Sequence, residues 1–186
     1  MENQRIRLTK KMLKNSLIEL MQHKNIEKIS VSELCSKACI NRTTFYNHYG
    51  SQYDVLADIG NELINGMNKV CTKENSKDIM PLDEQIEMIC NYLSENKKQA
   101  QLLFHYYSSD SDFANKCLKT RLTDTFKKTK PLIYSESEWE LVKVFLSNGI
   151  YSVIVNWIDG NTAITSTELS KLALHISTKG WINKQS

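Results

Sequence analysis

Apolar and polar positions recur with the helical period along almost the whole chain. Leu13, Leu17 and Leu20 lie at i, i+4 and i+7, and Ile18 and Met21 widen the stripe. A first helix is therefore expected from a cap at Thr9 to about His23, after a loose basic arm over residues 1–8. Lys10, Lys11 and Lys14 fall off the stripe, on a face that is either solvated or open to phosphates. Asn25 to Ile29 is a connector. Ser30 followed by Glu33 is a capping box, and Val31, Leu34, Cys35 and Ala38 then line one helix face. Asn41 caps a second short helix, Arg42 to Tyr49. Gly50-Ser51 ends it, and Ser51 with Asp54 opens a longer helix to about Cys71.

Residues 72–80 are polar and end at Pro81, as a connector does. Beyond them Ile86, Ile89, Cys90 and Leu93 share a face. Glu95-Asn96 breaks the pattern, Gln99 to Tyr107 is apolar and aromatic, and Phe113 to about Thr129 is a further helix. Ser135 with Glu138 caps a helix from about Glu136 to Ile158 whose apolar residues cover most of its circumference. Such a helix must be covered on more than one side, by its own domain or by a second subunit. Gly149 in its middle costs roughly 1 kcal/mol against alanine and admits a close neighbour. Thr165 with Glu168 caps the last helix, with Leu169, Leu172, Ala173 and Ile176 on one face. Only 6 Gly and 2 Pro interrupt the 186 residues, so the expected fold is all-α, a helix-turn-helix head plus a helical bundle, about nine helices.

Composition adds an asymmetry. Residues 1–52 hold 9 basic and 4 acidic residues, a net +5, whereas the other 134 hold 15 and 17, a net −2. A basic head on a near-neutral body fits nucleic acid at one end and a ligand or partner at the other. The first 25 residues have no uninterrupted apolar core, so no signal peptide is expected. The run Tyr151 to Ile158 is broken by Ser152 and Asn156 and falls short of the ~20 residues that span a bilayer, so no membrane partner is expected. The five cysteines, Cys35, Cys39, Cys71, Cys90 and Cys117, are odd in number and scattered, as reduced thiols of a cytoplasmic protein are.

Two short helices joined by a tight corner form a helix-turn-helix, whose second helix enters the DNA major groove. On a helical wheel Phe45 and Tyr49 form the buried side of that helix and Thr43 and Asn47 the opposite side. Asn47 can address adenine and Thr43 a base edge. Thr44, Tyr46 and His48 face phosphates, and Arg42 can do either. The alternative is a small solvated helix with an aromatic anchor. The free N–H groups that open the helix after Ser51 offer a further phosphate site.

The run Ala38-Cys39-Ile40, Asn41-Arg42-Thr43-Thr44, Phe45-Tyr46, His48-Tyr49 and Gln52-Tyr53-Asp54-Val55-Leu56 resembles the DNA-binding segment of the TetR family of transcriptional regulators, over roughly residues 8 to 60. Two positions depart from it: the family's corner glycine is Cys39, and its phosphate-contacting lysine is Gln52. If the corner needs a positive φ, the Cβ of Cys39 costs about 1 kcal/mol; a corner that avoids this conformation is the alternative. The pattern Gly149 … Trp157-Ile158-Asp159-Gly160 … Ser166 … Glu168-Leu169 resembles the C-terminal region of one subgroup, the activators of dihydroxyacetone kinase operons.

The resemblance implies a head over residues 1–54, a linking helix over about 52–71, and a ligand-sensing and dimerisation domain over 72–186. It implies a homodimeric regulator, repressor or activator, of a palindromic double-stranded operator. The DNA-contacting set would be Ser30, Arg42, Thr43, Thr44, Tyr46, Asn47, His48, Tyr49, Ser51 and Gln52. The dimer interface would draw on Phe145, Gly149, Ile150, Val153, Trp157, Leu169, Leu172, Ala173 and Ile176. An effector, a small molecule or a protein, would meet Cys90, Phe104, His105, Tyr107, Phe126 and Trp139; the alternative is that the aromatic residues only fill the core. No catalytic residue, metal or cofactor is expected. His105 has no nucleophile beside it and no Gly-rich phosphate loop is present. Cys35, Cys39 and His48 lack a fourth ligand and the usual zinc spacing. The rival is a helical effector- or protein-binding module with a weakened DNA-binding head.

Overall fold

The computed structural model describes residues 4–71, 81–107, 134–160 and 162–179. Among these residues it is all-α, with eight α-helices, one 3-10 turn at Ile26–Lys28 and no strand. The chain divides into two compact units, Met1–Leu63 and Ile64–Ser186. The boundary falls inside the fourth helix.

The first unit holds α1 (Gln4–Met21), α2 (Val31–Ala38), α3 (Arg42–Tyr46) and the start of α4 (Gln52–Val70). Its core is the expected one: Leu13, Leu17, Ile18, Leu34, Cys35, Ala38 and Phe45 are all buried. The beginning of α1 differs from expectation. The helix starts at Gln4 instead of after a loose arm, and Thr9 lies inside it, its hydroxyl donating to the Arg5 carbonyl at 3.0 Å. Back-bonding to i−4 satisfies a threonine within a helix, so its cap chemistry goes unused.

The caps that join α2 to α3 are where the sequence placed them. Ser30 Oγ accepts from the Glu33 amide at 3.1 Å, and Asn41 Oδ1 from the Thr44 amide at 2.7 Å. The Glu33 carboxylate pairs with Lys24, tying α2 to the end of α1. Between the two helices Cys39 takes the left-handed conformation, φ 54 and ψ 37, and is the one non-glycine residue with positive φ among those described. The Ile40 amide then reaches back to the Cys35 carbonyl at 2.9 Å and closes the helix end. The corner thus requires the conformation that glycine adopts freely. Cys39→Gly is expected to raise stability by about 0.5–1 kcal/mol in a thermal melt, whereas Cys39→Ala gains nothing. A glycine variant that melts no higher than the alanine variant would refute strain at this corner.

The second unit holds the end of α4, α5 (Leu82–Glu95), α6 (Lys97–Tyr106), α7 (Glu136–Ile158) and α8 (Ser166–Lys179). Gly66 permits a close approach of α4 to α5, since a Cβ there would lie 1.9 Å from the Tyr92 hydroxyl oxygen. On α5 the expected face is buried: Ile86, Ile89, Cys90 and Leu93. It packs against α8, with Ser166 donating to Asn91 Oδ1 at 2.6 Å and Thr167 to Glu87 Oε1 at 2.7 Å. α6 packs against α7 through an edge-on Phe104–Tyr151 pair and a bond from the Gln101 amide to the Ile158 carbonyl. Capping boxes at Ser135/Glu138 and Thr165/Glu168 open α7 and α8, and the hydrogen bonds from the capping residues hold both carboxyls below their ordinary range. The helix expected over 113–129 lies outside the described residues.

α7 is 23 residues long and apolar enough to cross a membrane by length and composition. Its buried stripe, Trp139, Lys143, Ser147, Ile150, Ile154 and Ile158, packs on α5 and α6, as a bundle helix does.

Candidate nucleic-acid interface

α3 is only five residues long, far below the ~12–15 at which an isolated helix holds in water, so packing must maintain it. Phe45 is fully buried and lies edge-on to Tyr46, with ring centres 5.3 Å apart, and 6.0 Å from the Tyr49 ring. This anchor turns the opposite side outward. Arg42, Thr43, Tyr46 and Asn47 are exposed, Thr44 and His48 half-buried, and Ser30 exposed at the start of α2. Asn47 sits just past the helix end, its amide still bonded to the Thr43 carbonyl at 3.2 Å. The exposed set offers one cation, an amide, hydroxyls and a methyl group, which suits base edges and phosphate oxygens together.

Tyr49 belongs elsewhere. Sequence pattern put it both on the buried side and in the DNA-contacting set; the structure buries it, and its hydroxyl donates to Asp58 Oδ2 at 2.6 Å. Its part is packing, because the group that would have met a phosphate is already bonded. Lys14 is a second correction. It is buried, pairs with Glu62, and lies 3.4 Å from Asp58 Oδ2, so it is closed to phosphate. Lys37 pairs with Glu19 at 2.8 Å. With Lys24 on Glu33, at least three of the head's nine basic residues are engaged in internal ion pairs.

The start of α4 is less hospitable to phosphate than its free N–H groups suggested. Asp54 Oδ2 accepts from the amides of Gly50 at 2.7 Å and Ser51 at 3.0 Å. A carboxylate therefore caps the two amides ahead of α4 and sets a negative charge at its start, beside the half-buried, uncharged Gln52.

These features describe a helix-turn-helix with a polar reading face. The remainder of the chain decides the family. Residues 82–179 match the family model for the C-terminal region of TetR-type transcriptional regulators, more than half the chain. This chain belongs to the TetR family.

Among curated relatives, the HTH-type dhaKLM operon transcriptional activator DhaS of Lactococcus lactis is 30% identical over 101 residues. That match covers 52% of this chain and 49% of DhaS, so it spans about half of the relative. Solved structures share the fold over nearly the full length. A TetR regulator from Streptococcus agalactiae superposes with a TM-score of 0.68 at 22% identity, covering 93% of this chain and 95% of its own. FadR of Thermus thermophilus, a TetR-family repressor solved in complex with lauroyl-CoA, gives 0.61 at 15% identity, covering 95% and 97%.

Within the regulator's second unit, the residues expected to bind an effector differ in exposure. Cys90, Phe104 and Trp139 are buried, Tyr107 is half-buried and His105 is exposed on α6; Phe126 lies outside the described residues. Exposure leaves His105 facing solvent and not the interior expected for it. Burial pushes the Cys90 thiol up to about 12, so it stays protonated and inert at neutral pH. Burial likewise raises Cys35. Among the described residues no cluster of His, Cys, Asp or Glu has metal-binding geometry.

The residues expected at a dimer interface divide in two. Phe145, Gly149, Val153, Leu172 and Ile176 are exposed, and nothing lies within 4 Å of a Cβ built on Gly149. Ile150, Leu169 and Ala173 are instead buried in the unit's own core, Ile150 on the α7 stripe that faces α5 and α6 and the other two on α8, which packs on α5. Trp157 is half-buried, its indole N–H donating to the Ile164 carbonyl at 2.7 Å. Four residues outside the expected set, Leu141, Val144, Asn148 and Ser152, lie beside two inside it, Phe145 and Gly149, around a shallow open groove along α7. Their spacing on an all-round apolar helix gave no sign of which side would be left bare.

Proposed function

We propose that this chain is a cytoplasmic, homodimeric regulator that binds a palindromic operator and is controlled by an effector in its C-terminal domain. The observation that carries the DNA-binding part is the exposed Arg42, Thr43 and Asn47 face, held outward by buried Phe45. The exposed Leu141, Val144 and Phe145 supply an apolar face that a second copy would cover. Two-fold symmetry then sets two reading helices about one DNA turn apart, roughly 34–36 Å or somewhat more. An effector acts by binding one spacing of the heads more tightly than another. The pairing of buried Phe104 on α6 with half-buried Tyr151 on α7 suits a largely apolar small molecule, as the FadR relative takes lauroyl-CoA.

The test is selection of bound fragments from the native genome, followed by anisotropy titration at several salt concentrations. A palindromic site with saturable, salt-sensitive binding is expected. The salt slope of the parent should be shallow, since Gln52 carries no charge and Asp54 opposes one. Gln52→Lys is expected to steepen it by about 0.9 per added phosphate contact, two contacts per dimer, and to tighten binding. Absence of saturable binding to any fragment would sink the operator reading. A second reading, a helical effector- or protein-binding module with a weakened head, is favoured by the uncharged Gln52 and the Asp54 carboxylate at the start of α4 and predicts that failure.

A further inference from the structure

A five-residue helix with one buried side chain has little to fix its tilt. Phe45 sets its depth, yet an aromatic ring in an apolar socket can rock. The directional restraint comes from the next turn. Tyr49 N–H bonds to the Phe45 carbonyl at 3.0 Å, and the Tyr49 hydroxyl donates to Asp58 Oδ2 at 2.6 Å. At this length it is a short, directional hydrogen bond. The same oxygen lies 3.4 Å from Lys14 Nζ on α1, and Lys14 is also paired with Glu62 one turn along α4. One carboxylate thus joins α1, the turn that follows the reading helix and α4, and Lys14 holds it in place. None of the four side chains lies on the exposed reading face.

We propose that Asp58 is a positioning residue for DNA recognition: held by Lys14, its carboxylate fixes the Tyr49 hydroxyl and thereby the angle at which Arg42, Thr43 and Asn47 meet the bases. This rests on the operator-binding reading. Base contacts demand that angle because their hydrogen bonds are directional, while phosphate contacts tolerate a tilt. Losing the restraint therefore costs sequence discrimination before it costs overall DNA affinity.

The test uses full-length protein and two duplexes, the strongest fragment selected from the genome and a shuffled one of equal length. Asp58→Ala and Tyr49→Phe are expected to lower the ratio of specific to shuffled affinity by ~10-fold, about one base contact's discrimination. Affinity for the shuffled duplex should stay within about threefold, the phosphate contacts being untouched. Asp58→Asn, which keeps an acceptor oxygen, should recover most of the ratio. If Asp58→Ala fails to fold by circular dichroism, Tyr49→Phe, which removes one oxygen, carries the test. An unchanged ratio, or equal losses on both duplexes, overturns the positioning role while leaving operator binding intact. Failure of the parent protein on both duplexes overturns operator binding itself, and the positioning role with it.

Discussion

Replacing Leu141 and Phe145 together by glutamate is expected to leave the protein monomeric and to weaken operator binding by orders of magnitude. Both side chains are about three-quarters exposed, at 73% and 74%, so the exchange removes almost no packing within the chain, and circular dichroism should stay unchanged. In a two-fold dimer the pair occurs twice. Burying four such side chains is worth roughly 6–12 kcal/mol in gross terms, at about 1.5–3 kcal/mol each. Four carboxylates in their place forfeit that and add like charge. The dimer dissociation constant should rise by at least ~10⁴-fold. A monomer engages one half-site at a time, and operator affinity should fall by ~10²–10⁴-fold, the gain that linking two binding modules supplies. Sedimentation velocity and anisotropy on the same samples measure both. A double-glutamate variant that remains dimeric at micromolar concentration would show that this face is not the interface.

The second large effect is on the head. Phe45→Ala removes a fully buried ring that touches Tyr46 and Tyr49 and seats α3. The expected loss is about 3–5 kcal/mol, with Phe45→Leu well below that. Against the roughly 3–9 kcal/mol that about sixty residues supply, at about 0.05–0.15 kcal/mol each, this is enough to bring the unit close to melting near room temperature. Hydrogen exchange should show the amides of α2 and α3 losing protection while those of α5 and α8 keep theirs. Operator binding should disappear with the head. A loss below about 1 kcal/mol would mean that α3 is held by its exposed contacts, contrary to its burial pattern.

The caps were legible beforehand because capping is local. Ser30, Asn41, Ser135 and Thr165 each bond an amide three residues on, and a hydroxyl or amide ahead of an apolar stripe suffices to reveal them. Thr9 shows the limit of that reasoning, since the same hydroxyl is satisfied within a helix. Phe45 as anchor and Thr43 and Asn47 as its outward opposite were legible for a similar reason, the wheel of a single short helix. Lys14 and Tyr49 were not. Each has a polar end whose partner lies on α4, 48 residues away for Lys14 and Glu62, and periodicity carries nothing about such pairs.

By itself the sequence determined that this protein is helical, where most of its helices begin, that its basic charge sits at one end, and that a TetR-like reading helix lies there. All of that follows from near-neighbour chemistry: caps, stripes and the order of side chains in one short motif. The tertiary structure alone decided three things. It put Cys39 in the left-handed conformation, because the closing bond from Ile40 to Cys35 requires it. It spent Lys14 and Tyr49 inside the head, on Asp58 and Glu62. And it chose which side of α7 to bury, taking in Lys143 and Ser147 and leaving Leu141 and Phe145 bare. A helix apolar all round has no preferred side of its own; the choice belongs to what packs against it.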